Sequence, residues 1–355
     1  MTLAWFAYTA TVVLLVLCVA VMALLVLARV IKDRSERRRL SVRAPVWRVV
    51  LTLSSGEGEE LDEAYARLLN TSPVERQAVV HDAFALLPKL RGEARQRLRE
   101  VLRAWNTTSG ARNSTRSRSA VRRSRGYYRL GVLAEPGRRD LVLRGLADRD
   151  FIARRTAMLA LGSFREPMVV DRMLDAAVEE PRLRRDFLAS VDRFGQVAVP
   201  PLRSQLSVAL DDTRVAPEEG GRRGQLAAEA LGLVGAIDAV GALEAALPGA
   251  PEEMQIACIN ALGQIGSPTS VHVLTSAVLH DNADVRRVAA QSLGLVGGRA
   301  AVAPLSAALL DSSTEVARAA ANGLRRCGPG GQSVLEASSA PVAREVLALA
   351  ALGSS

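Results

Sequence analysis

The hydrophobic and polar positions divide the chain into three regimes. Between Thr2 and Ala28 no charged side chain occurs, and the apolar run resumes after Arg29 at Val30 and Ile31. That run exceeds the roughly 20 residues with which a helix crosses a bilayer. A membrane-spanning helix is therefore expected over residues 2–31. A cleavable signal peptide fits less well, because nothing basic precedes the run and its apolar core is too long. Residues 32–60 follow as a basic juxtamembrane linker, with Pro45 and the Ser54-Ser55-Gly56 turn inside it.

The second regime, residues 61–105, alternates at helical spacing. The pattern predicts amphipathic helices at Leu61–Leu69, Pro73–Leu87 and Glu93–Trp105. Ser72 and Pro73 with Glu75 behind them form a helix start: a capping hydroxyl, a proline at the first helical position and an acid in the first turn. Whether these helices belong to the array that follows is left open by the sequence. Residues 106–119, rich in Ser, Thr, Arg and Asn, read as a flexible loop.

The third regime repeats itself. Leu-Gly pairs occur at Leu130-Gly131, Leu161-Gly162, Leu231-Gly232, Leu262-Gly263 and Leu293-Gly294, with Phe194-Gly195 taken in the same role. The glycines are spaced 31, 33, 37, 31 and 31 residues apart. A second glycine follows at Gly235, Gly266 and Gly297. One period later Leu324 and Gly328 continue the series, with Arg325 in place of the first glycine. Each unit reads as a helical hairpin, clearest at Ala301–Leu310, a turn at Asp311-Ser312-Ser313, and Thr314–Arg325. Val316, Ala319, Ala320 and Leu324 supply the apolar stripe of the second helix. The glycines are expected to end the second helices, since a residue without Cβ adopts left-handed backbone readily. No single hairpin buries both faces, so the units must stack. Residues 120–337 thus form an array with a period of about 31, and 338–355 a capping helix and tail. The fold class is all-α: a transmembrane helix followed by an α-solenoid.

Composition agrees with small, closely packed helices. Hydrophobic residues make up 49% of the chain but aromatics only 4%. The net charge is +9, and lysine stands only at Lys32 and Lys89. Arginine in place of lysine is what a high-GC bacterial coding sequence produces, which weakens the basic balance as a sign of nucleic acid. The charge is also uneven: arginines dominate from Arg91 to Arg155, and acids outnumber them after Gln225. Lys32, Arg34, Arg37, Arg38 and Arg39 flank only the C-terminal side of the apolar run. The positive-inside rule then places the N-terminus outside and the repeats in the cytoplasm of an inner-membrane, single-pass protein. The same five residues are set to touch anionic lipid.

The stretches Asp284–Gly297 and Thr314–Leu324 closely resemble HEAT repeats, most of all the short variety named after phycobilisome lyase subunits. The resemblance covers about Ser119 to Ala337. It implies a right-handed superhelix whose second helices line the concave side, and it says little about function, because such repeats serve adapters, enzyme regulators and a few catalysts.

Chemistry is sparse. His81, His272 and His280 form no His-Glu pair, so the metal ligands of HEAT-type deoxyhypusine hydroxylases do not carry over. Cys18, Cys258 and Cys327 lie in no CxxC or Cys/His cluster. There is no phosphate-binding glycine loop and no nucleophile elbow. No catalytic residue, cofactor, metal or small-molecule substrate is expected, and the chain reads as no enzyme. What remains is surface. In register, Arg154 and Arg155 occupy the slots of Arg286 and Arg287, with Arg318 one period on. A polar column reads Asp192, Glu229, Asn260, Gln291 and Asn322. These nine residues, Arg154, Arg155, Asp192, Glu229, Asn260, Arg287, Gln291, Arg318 and Asn322, form the candidate partner-binding surface. The expected function is a membrane-anchored scaffold for a protein partner such as a membrane enzyme. Two alternatives are nucleic-acid binding through Arg112–Arg129 with Tyr127 and Tyr128, and an accessory subunit of an enzyme or lyase; the acidic C-terminal half argues against the first.

Overall fold

The computed structural model describes residues 17, 21–27, 29–30, 40–53, 55, 58–211 and 217–352. Every described regular element is helical, and the chain divides into two compact units, Met1–Gly110 and Ala111–Ser355. Most of the predicted span at 2–31 lies outside the described residues, as do Lys32, Arg34, Arg37, Arg38 and Arg39. Its described part, residues 21–27 and 29–30, is helical, with Met22, Leu24 and Leu25 all more than 60% exposed. Among the described residues no helix is long and apolar enough to cross a membrane.

In the first unit, residues 40–53 are helical where the sequence reading placed part of a linker. Val46, Val50 and Leu53 are buried, and Arg43 pairs with Asp82 at 2.8 Å, so this segment is tied to the rest of its unit. Helices α1 (Glu59–Leu69), α2 (Pro73–Leu86) and α3 (Gly92–Ala104) follow. Ser72 and Glu75 form a reciprocal capping box on α2. The Trp105 indole N–H donates to the Leu68 carbonyl at 2.8 Å and joins the C-terminal end of α3 to α1.

The polar stretch read as a loop contains a helix, α4 (Thr107–Thr115). Its residues are small enough to pack: Ala111 is fully buried, and a side chain at Gly126 would strike the Ala111 carbonyl at 2.8 Å. Low hydropathy concealed an element held by close backbone approach.

The second unit stacks hairpins. Helix α5 (Ala120–Leu133) is followed by α6 (Arg139–Leu143), α7 (Phe151–Leu161), α8 (Val170–Glu179), α9 (Arg184–Phe194), α10 (Val199–Asp211) and α11 (Pro217–Val234). Then come α12 (Val240–Ala245), α13 (Glu252–Ile265), α14 (Val271–Ala277), α15 (Ala283–Val296), α16 (Arg299–Ala308), α17 (Thr314–Arg326), α18 (Pro329–Ala337) and α19 (Pro341–Leu352). The even-numbered helices from α6 are the first members of hairpins and the odd-numbered ones the second. One core of Leu, Val and Ala runs from Ala111 to Val346. The most extensive contacts join successive second helices in the series α5–α7 and α11–α13–α15–α17.

The two glycine series do different work, which corrects the expectation that both end helices. Gly131, Gly232, Gly263 and Gly294 lie inside helices, and Gly162 lies at the end of α7. A Cβ on Gly131 would come within 2.5 Å of Ala160, on Gly263 within 2.5 Å of Ser292, and on Gly294 within 2.5 Å of Gly323. They are contact points between neighbouring second helices. The helix-ending role belongs to a separate series of positive φ: Ala134, Arg165, Gly195, Gly235, Gly266, Gly297 and Gly328. These stand 31, 30, 40, 31, 31 and 31 residues apart. Gly195 belongs here and not with the contact glycines, so the extra residues fall in a single interval, between Gly195 and Gly235.

Candidate partner-binding surface

This corrected register re-sorts the predicted surface. Ser190, facing Gly162, occupies the small-residue slot of Ala160, Ala261 and Ser292. The polar column one residue earlier then reads Tyr128, Leu159, Ala189, Glu229, Asn260, Gln291 and Asn322. Asp192 drops out of it. It stands in the contact-glycine slot, as Arg325 does, and the sequence reading misplaced it by treating Gly195 as a contact glycine.

Arg154 is a joint residue. It sits fourth in α7, as Arg123 does in α5 and Arg286 in α15. Each donates to carbonyls of the preceding turn: Arg123 to Ser117 and Arg118, Arg154 to Asp148, Arg286 to His280 and Asp281. Each also reaches a carboxylate of the next hairpin turn, Asp148, Glu180 and Asp311 respectively. Arg123 and Asp148 meet at 2.7 Å with side chains only 8% and 5% exposed. The Arg123 guanidinium holds the Asp148 carboxyl below its usual range, and Arg286 does the same to Asp311. Hydrogen bonds from Arg182 and then Arg154 bring Glu180 to about 2. Burial and the Asp148 charge push the Tyr127 phenol up to about 12.

Glu229 is likewise engaged from within. Arg184, the first residue of α9 but in the same repeat register, donates two N–H groups to its Oε2, and Gln225 donates to its Oε1. The Arg155 Nε–H is shared between both carboxylate oxygens of buried Asp186, yet the side chain stays 57% exposed. Arg154 and Arg286 thus carry arginine–carboxylate bonds from one hairpin to the next.

The rest of the predicted set converges. Arg287, Gln291, Arg318 and Asn322, with Asp284, Glu315 and Ala319, line a cavity of about 400 Å³ between α15 and α17. Arg287 pairs with Asp284 at 3.1 Å along its own helix, and Arg318 with Glu345 of α19 at 3.3 Å. The Asn322 amide donates to the Arg318 carbonyl. Asn260 extends the amide row onto α13 and is exposed. Asp284 and Glu315 were missed by the sequence reading, although both sit three residues before an arginine already chosen. The floor therefore offers carboxylates, guanidiniums and amides within one groove, a set that exchanges hydrogen bonds with peptide groups and charged side chains.

Among the described residues no cluster of His, Cys, Asp and Glu is set to hold a metal. Burial raises the Cys258 thiol to about 12, which suppresses the nucleophilic thiolate. A larger cavity between first helices, of about 720 Å³, is lined by Arg223 and Asp175, already paired at 2.6 Å.

The repeats defined by this geometry coincide with a known family. The family model described as HEAT repeats matches residues 224–294 and, in an overlapping placement, 240–325. This stretch consists of HEAT repeats. The match begins in α11 and ends in α17, so it takes in the amide row and the groove. No curated protein sequence matches the chain. Similar solved structures include the CpcE–CpcF complex of phycocyanin lyase from Nostoc sp. PCC7120, at 22% identity over 68% of this chain and 92% of that one, with a TM-score of 0.32. An engineered protein is 17% identical over 85% of this chain and 96% of its own, at 0.35. Human deoxyhypusine hydroxylase in complex with glycerol is 21% identical over 72% and 99%, at 0.31. Superpositions this loose carry nothing about what the HEAT repeats bind here.

Proposed function

We propose that this protein is a membrane-anchored scaffold whose second-helix surface binds a segment of another protein. HEAT-repeat proteins often act as protein-interaction scaffolds, which supports the scaffold part of this reading. The observation that carries the reading is the α15–α17 groove, where Arg287, Gln291, Arg318 and Asn322 converge with two carboxylates. It is shallow, polar and open along the stack, which suits recognition by area and suits a small substrate poorly. A photo-crosslinking residue at Gln291, in full-length protein in native membranes, should capture a discrete partner. The same residue at Ser276, exposed on first helix α14, should not. Equal yields at both positions would remove the groove from the proposal.

The anchor at residues 2–31 belongs to this proposal, as do an outer N-terminus, a cytoplasmic repeat array and lipid contact by Lys32, Arg34, Arg37, Arg38 and Arg39. Its support is the uncharged run and the exposed apolar helix at residues 21–27. Tethering would raise the effective concentration of any partner in the same membrane, which favours a membrane protein as client. The full chain should resist extraction by alkaline carbonate and dissolve in detergent. A chain lacking residues 2–31 that still resists carbonate would sink the anchor.

A further inference from the structure

We infer that the second-helix face at α5 and α7 docks an acidic amphipathic helix of a partner protein, with two of its apolar side chains on Val121 and Ile152. This rests on the reading that second helices carry the interaction surface, and it assigns them a second, chemically different station. Val121 and Ile152 occupy the same repeat slot, one period apart, and are 68% and 65% exposed. In α13, α15 and α17 that slot holds Glu253, Asp284 and Glu315.

The surroundings fix the charge of the occupant. Arg125 stands four residues after Val121 and Arg155 three after Ile152, spacings that place them beside those residues on the helix surface. Helix α5 contains no acid at all. Arg122 and Arg125 are exposed and, among the described residues, meet no carboxylate. Arg155 is held by Asp186 but stays 57% exposed, so the uncompensated charge lies on the Val121 side with Arg122 and Arg125; apolar contacts bordered by such guanidiniums are complementary to leucine-like residues bordered by carboxylates.

Spacing selects the occupant's conformation. Packed helices lie about 10 Å apart, so the two anchors are separated by roughly that distance. In an extended segment about three residues span it, and an odd step turns successive side chains to opposite faces. In a helix seven residues span about 10 Å and return to the same face.

The test uses the full chain in detergent micelles and fluorescence anisotropy of labelled probes. One probe is an 18-residue peptide with leucines at i, i+7 and i+14 among glutamates. The others are its scrambled isomer and a single-stranded oligonucleotide of equal charge. The amphipathic peptide should bind at least about tenfold more tightly than the scramble. Val121→Ser with Ile152→Ser, both at exposed positions, should remove that difference, and Arg125→Glu should weaken binding further. Arg287→Glu with Arg318→Glu should leave it unchanged, although it alters crosslinking at Gln291, so this inference and the groove can fail separately. No binding of the amphipathic peptide, equal binding of the scramble, tighter binding of the oligonucleotide, or retention by the double serine variant would each overturn the inference.

Discussion

The first three second helices of the array, α5, α7 and α9, and three later ones, α13, α15 and α17, are built on the same joints but finished with different residues. In both groups contact between neighbouring second helices depends on glycine against alanine, serine or glycine. The positions that end the helices differ. Ala134, Arg165 and Gly195 hold positive φ in the early group, and Gly266, Gly297 and Gly328 in the late one, so the first two early helices end without glycine. The exposed slot near the helix start is Val121, Ile152 and Arg182 early, and Glu253, Asp284 and Glu315 late, so apolar residues stand there only in α5 and α7. Architecture is therefore set by the contact slot, while the helix end and outer face are free to diverge. The HEAT-repeat match covers only residues 224–325 although hairpins of the same kind precede it.

If the contact slot is common to both groups, disturbing it should cost the same in each. Gly131→Val and Gly263→Val are each expected to destabilise by about 3 kcal/mol, measured by urea unfolding. A large difference between them would break the equivalence. Gly162→Ala should be milder, because its neighbour Ser190 lies at 3.0 Å and not 2.5 Å.

Next in size is the ion pair. Asp148→Ala leaves the Arg123 guanidinium buried without its partner and should cost about 2 kcal/mol. Asp311→Ala should cost less, since the Arg286–Asp311 side chains are 15% and 12% exposed against 8% and 5%. Reversal of that order in chemical denaturation would show that burial does not rank these joints.

Helix ends should separate the groups by a smaller amount. Gly297 has φ 68° and ψ −156°, a region closed to side chains, so Gly297→Ala should cost about 2 kcal/mol. Ala134 lies at φ 46° and ψ 49°, where alanine is only mildly strained. Ala134→Gly should gain no more than about 0.5 kcal/mol, after the added freedom of the unfolded chain is subtracted.

Acid should produce the smallest and most local effect. The carboxyls of Asp148, Glu180 and Asp311 are depressed in the folded state, so their stabilising contribution is complete above the unfolded value, about 4. It is lost as pH falls through the folded value, which for Glu180 is about 2. Two of the three lie in the early hairpins. Hydrogen exchange near pH 3 should therefore show α5–α9 loosening before α15 and α17; uniform loosening would contradict the assignment.

The hairpin period was legible because it was written in glycine, and glycine at fixed spacing leaves few alternatives. Its meaning was only half legible. Gly131 and Gly266 look alike as letters, yet one admits a neighbouring helix and the other turns the backbone. Only the positions of Ala160 and of positive φ separate them. That ambiguity moved Asp192 into a column to which it does not belong. Arg287, Gln291, Arg318 and Asn322 were found because they lie where the 31-residue register is unbroken. Arg154 and Glu229 were chosen from the same pattern, but their engagement by Glu180 and Arg184 depends on reach between hairpins, which spacing alone does not reveal. Helix α4 escaped notice because its cohesion comes from small residues and not from hydropathy.

The arginines of this repeat slot carry a mechanical consequence. An array of stacked hairpins put under tension would transmit load across the joints between them. Arg123, Arg154, Arg184 and Arg286 clamp such joints with carboxylates, whereas Gly224, Gln255 and Ala317 occupy the equivalent position without a charge. Under tension the array would yield first near α11 and α13, where this slot holds no charge, while the early hairpins moved as one block.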